Sequence, residues 1–143
     1  MPPPEPAYSR REPLLNAPLV PLTLALMLAG LFLVQSPAAV ESFALIPALV
    51  GEGGAERLVT HLFLHGGWAH VALNALGLLA FGAPVARLLG PAGRGGALFL
   101  AFYLLCGVFA GLGFMLLHPA GLQPVVGASG AVSGLMAAAS RLI

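Results

Sequence analysis

Apolar residues arrive in four long runs, over 18–34, 68–89, 97–117 and 125–139, and only Arg87 carries a charge within them. Runs of this kind, without a two-residue alternation, predict α-helices. A bilayer's hydrocarbon core asks for about 20 apolar residues per helix, so each run is a candidate span. The fourth is short. At about 1.5 Å per residue it covers about 22 Å, and other helices are expected to wrap it against thick lipid. Ahead of the first run, residues 1–17 form a Pro-rich, polar head for which disorder and a cytoplasmic position are expected. The membrane domain then occupies 18–143.

Composition supports the same division. Hydrophobic residues make up 59% of the 143 and charged residues 8%, against about 25% charged in a soluble domain. Mean hydropathy is +0.96. A soluble core of this size could not hide so much apolar surface, so the chain reads as all-α and polytopic. A net charge of +1 gives no basis for nucleic-acid binding. The single cysteine, Cys106, lies in an apolar run; it implies no disulfide framework and reads as a small buried hydrophobe. Arg10 and Arg11 before the first run, with Ser36 after it, raise the question of a signal peptide. The run exceeds the usual 7–15 residues of such a segment and three more spans follow, which argues against cleavage.

Orientation follows from arginine, because the chain has no lysine. With a cytoplasmic N-terminus, Arg10, Arg11, Arg87, Arg94 and Arg141 all lie inside and only Arg57 outside, beside Glu41, Glu52 and Glu56. The positive-inside rule favours that arrangement. The second and fourth spans then run in the same direction, from outside to inside. His70 and Ser129 fall about 3 Å and about 6 Å below the outer ends of those spans. Polar groups at that depth are tolerated where they line a cavity, so a pocket open to the outer side is expected.

Three polar positions carry candidate chemistry. His70 and Asn74 share a helix face at i, i+4 and could both donate to one oxygen. Ser129 sits in Gly127-Ala128-Ser129-Gly130 at an expected helix start, where free backbone N–H groups can receive a developing oxyanion. Structural alternatives exist for each: hydrogen bonding between helices for the His70 and Asn74 pair, and close helix packing for Gly127, Ser129, Gly130, Ser133 and Gly134. Packing is the favoured reading for Gly107 and Gly111. His61 and His65 repeat the four-residue spacing, but they lack the adjoining glutamate of a zinc-protease motif and an evident third ligand, so no metal is expected. His118, before Pro119, reads as a solvated loop residue.

Arg57, Thr60, His61, His65, Gly66, Gly67, Trp68, His70 and Asn74, followed by Phe81-Gly82, Gly90, Tyr103 and Val126 to Ala131, form an ordered set. This set resembles the rhomboid family of intramembrane serine proteases over residues 18 to the C-terminus. The resemblance implies a rhomboid-like helical bundle of six or more helices, four of them within this sequence. It implies Ser129 as nucleophile and backbone oxyanion donor, His70 and Asn74 as side-chain oxyanion donors, and His61, His65, Gly127 and Gly130 as supporting residues. It implies no cofactor. The implied partners are transmembrane protein substrates, cut near the outer boundary, and the loop 36–60 would lie partly in the outer interface.

Two positions depart from the family pattern. Ala86 stands where an acidic residue is common. The family's general base is a histidine in a later helix, and no histidine follows Ser129 here, so this sequence is expected to be part of a longer enzyme and inactive alone. A non-catalytic rhomboid-like protein that binds transmembrane clients is the second reading, and an unrelated small membrane protein the third. A bacterial plasma membrane is the expected location, and the oligomeric state is unspecified.

Overall fold

The computed structural model describes residues 18–90 and 93–142. The Pro-rich head at 1–17 lies outside the described residues. Among the described residues, seven α-helices follow one another: α1 (Leu19–Val34), α2 (Pro37–Phe43), α3 (Pro47–Val50), α4 (Arg57–Thr60), α5 (Trp68–Leu89), α6 (Arg94–Leu117) and α7 (Ser129–Ala139). A 3-10 turn, His61–Phe63, links α4 toward α5. Among the described residues there are no strands beyond one isolated antiparallel pair, Leu45 with Val125. The molecule is an all-α integral membrane protein.

The second expected span coincides with α5, bounded by Gly67 and by Gly90 at φ +106°. Two helices, α5 and α6, are long and apolar enough to cross a membrane on their own; α1 qualifies jointly with α2, across a bend of 120°. Ser36 makes that bend: its hydroxyl accepts from the Ala39 N–H at 3.2 Å and Pro37 opens α2, a favoured helix start.

The fourth span begins later than the apolar run suggests. Val125 is extended and exchanges hydrogen bonds with Leu45 at 2.8 and 3.0 Å, and Gly127 takes φ +115°. Helix α7 therefore starts at Ser129 and has 11 residues, about 16 Å. The depth of Ser129 counted from residue 125 is corrected accordingly, because the serine opens its helix.

Packing fixes the directions. A Cβ on Gly82 would meet Pro21 at 3.4 Å, while Phe32 stacks edge-on against Trp68 with centroids 4.9 Å apart; α1 and α5 are antiparallel. Gly130 lies against Ala110 and Gly134 against Cys106, so α7 runs antiparallel to α6. Gly127 meets His70 and Gly77 meets Val132, so α5 and α7 are parallel, as expected. Their common core is Leu24, Leu28, Leu78, Phe99, Tyr103 and Leu135, all buried. Glycines on α6 admit the loop side: Gly107 faces Leu62, and Gly111 faces Leu45 and His61. That is the close packing expected of them. Ala86 is buried in the same core.

Candidate active site

Segment 118–128 is tied down before α7 begins. The Ala48 N–H donates to the Gly121 carbonyl at 3.2 Å, Leu45 pairs with Val125, and the Gly127 N–H donates to the His61 carbonyl at 2.9 Å. These bonds hold Gly127 against the first turns of α5. A Cβ there would stand 2.5 Å from His70 Nε2, 2.6 Å from His70 Cε1 and 3.7 Å from Asn74 Nδ2. Only glycine fits both that contact and that φ. The structure thus brings His70 and Asn74 together beside the backbone two residues before Ser129.

Both side chains are oriented locally. Gly66 N–H donates to His70 Nδ1 at 3.3 Å, which leaves the proton of a neutral imidazole on Nε2, the nitrogen facing Gly127. Asn74 is buried and spends one amide N–H on the His70 carbonyl at 2.9 Å; a primary amide carries a second N–H. Ser129 is exposed and is the first residue of α7, where the leading N–H groups have no intrahelical acceptor. Its carbonyl accepts from the Ser133 hydroxyl at 2.8 Å. Gly130 lets α7 close on Ala110 of α6.

His61 and His65 stand behind this arrangement. His61 is buried, its Nδ1 donates to the Arg57 carbonyl at 2.7 Å, and burial pushes its pKa down against that bond. The His65 ring lies edge-on to His70 with centroids 5.2 Å apart. It is 1% exposed and neither ring nitrogen has a hydrogen-bond partner. Burial first, then the His70 charge, push its pKa down to about 4; the Phe63 carbonyl works the other way without reaching hydrogen-bonding geometry. His65 is therefore a neutral wall for the His70 ring. Among the described residues, no three metal-binding side chains converge. His118 is exposed and stacks on Phe114.

Two further residues contribute. Arg57, which the sequence marked only as part of the resembling run and by its isolation among acidic residues, caps α2 by donating to the Glu41 and Ala44 carbonyls at 3.0 and 2.8 Å. Gln35 grips the backbone of His65, and nothing in the local sequence marks it.

A serine opening a short helix that buries one face, beside a histidine and an asparagine one turn apart on a parallel helix, is the arrangement that the rhomboid resemblance leads one to look for. The family model for the rhomboid domain matches residues 52–143, and the chain belongs to the rhomboid family. Among known relatives it is similar to Rhomboid protease GluP of Bacillus subtilis (strain 168), at 37% identity over 91 residues. That match covers 64% of this chain and 16% of the relative's length. No solved structure matches the chain.

Proposed function

We propose that this chain supplies the nucleophile and the oxyanion-binding half of an intramembrane serine endopeptidase acting on transmembrane proteins. The observation that carries the reading is the seating of Gly127, two residues before α7 begins, against His70 Nε2 and Asn74 Nδ2. In this mechanism the Ser129 hydroxyl attacks a substrate carbonyl. The Nε2–H of His70, an amide N–H of Asn74 and the backbone N–H of Ser129 hold the resulting oxyanion, and water then releases the acyl-enzyme. The Ser129 proton needs an acceptor, and His70 is occupied as a donor; the rhomboid resemblance assigns that role to a histidine of a later helix. His61, His65, Gly127 and Gly130 keep the donors in place. The arginine distribution supports a cytoplasmic N-terminus and a site facing outward, in a bacterial plasma membrane.

The test is a fluorophosphonate reaction together with cleavage of a transmembrane reporter by the full-length protein in lipid vesicles. Labelling and cleavage should both vanish in Ser129→Ala, and His70→Ala should lose about 10²- to 10³-fold in rate. Reporter binding that survives with no cleavage and no labelling of the wild type would replace this reading with a client-binding role.

A further inference from the structure

We infer that Gln35 is a positioning residue for the oxyanion site, holding the His70 ring through a two-sided grip on the backbone of His65. The inference rests on the protease reading for its kinetic consequence but not for its geometry. Gln35 follows the last residue of α1. Its Nε2 donates to the His65 carbonyl at 2.7 Å and its Oε1 accepts from the His65 N–H at 2.9 Å, across 30 residues of chain. One planar amide therefore satisfies both polar groups of one peptide-chain residue, which fixes its position and rotation together.

The position so fixed matters because the His65 side chain has no polar anchor of its own. Both ring nitrogens are buried without partners, so only the backbone and van der Waals contact determine where the ring lies. That ring forms the wall at 5.2 Å from His70, and the next residue, Gly66, supplies the N–H that sets the His70 tautomer. Packing buries this corner, with His65 1% exposed, but it is not directional, and a groove of about 390 Å³ borders Gln35, Phe63 and Leu64; the two bonds from Gln35 add the fixed direction that apolar contact lacks. Phe32 on Trp68 holds the same end of α1 to α5, but it acts after Gly66, on the far side of the turn. Gln35 is thus the link between the α1 terminus and the donor geometry.

The experiment uses the full-length protein in lipid nanodiscs, with ¹⁵N-labelled histidine and the His70 signal assigned by its loss in His70→Gln. Gln35→Met keeps the volume and removes both bonds. The expected result is a fall in kcat of about tenfold to a hundredfold with KM within about twofold, as for a donor displaced by part of an ångström, and a His70 signal moved away from a fixed Nε2–H tautomer. Gln35→Glu retains the acceptor for the His65 N–H and should show a smaller change in the same direction; it also decides the matter if Gln35→Met does not fold. A wild-type kcat and an unchanged His70 signal in the variant would overturn the inference. If the wild type itself cleaves nothing, the protease reading falls separately, and the His70 signal alone then decides: movement supports the grip and no movement rejects it.

Discussion

A methyl group at position 127 would meet His70 and would have to ride on a backbone at φ +115°. Gly127→Ala should therefore lose about 1–3 kcal/mol of stability from the left-handed conformation, and it should push the His70 ring away from the start of α7. Fluorophosphonate labelling should fall far more steeply than the thermal midpoint. A variant that is labelled at the wild-type rate would show that the close seating of His70 is dispensable. His65 gives a second expectation, with a definite sign. Its folded pKa is about 4 against an ordinary 6.5, so between those values the unfolded chain binds more protons and stability declines as pH falls. His61, lowered by burial as well, acts in the same direction. Thermal midpoints measured at pH 7.5, 6 and 4.5 should drop toward acid, and His65→Phe should flatten the slope; an equal slope in the variant would remove His65 from the explanation. Gln35 marks where reading by residue type stopped. A polar residue after an apolar run looks like an ordinary boundary, and its importance comes from a contact 30 positions away.

Between helices, glycine has two distinct uses, and they can be separated by substitution. Gly130 and Gly134 are four apart on α7 and face Ala110 and Cys106, themselves four apart on α6. A side chain at either position would wedge the pair open. Gly134→Leu should cost at least about 1–3 kcal/mol, the usual penalty of overpacking, whereas Gly113→Ala, with nothing within 4 Å of its added carbon, should be neutral or gain up to about 1 kcal/mol of helix propensity. Denaturation in mild detergent compares the two; equal effects would mean that the α6 and α7 seam is not tight. Element boundaries were legible where backbone and hydropathy agree. Trp68–Leu89 lies between glycines that break the helix at both ends, so its limits follow directly from the sequence. The start of α7 was not legible, because Val125 and Val126 prolong the apolar run while the backbone of Val125 is claimed by Leu45. Hydropathy records burial and does not record which partner takes the hydrogen bonds.

Across the whole molecule, the parallel course of α5 and α7 places the histidine, the asparagine and the serine at one end of the bundle. Their side of the membrane then depends on orientation alone. Arginine gives an expected direction for each span, because the chain offers no lysine to blur the count, while the angle and depth of the short loop helices had no such signal, since those are set by contacts such as Arg57 on the α2 carbonyls. Orientation can be measured with single cysteines in a Cys106→Ser background. Glu52 and Arg94 are both exposed and lie on opposite sides of α5 in sequence, so an odd number of crossings separates them. With a cytoplasmic N-terminus, Glu52→Cys should react with a membrane-impermeant maleimide in intact cells, and Arg94→Cys should react only after permeabilisation. The reverse pattern would turn the serine toward the cytoplasm. It would also require five of the six arginines to lie outside, against an energetic bias that sets the topology of most multispan proteins, and substrates would then have to be sought at the inner boundary.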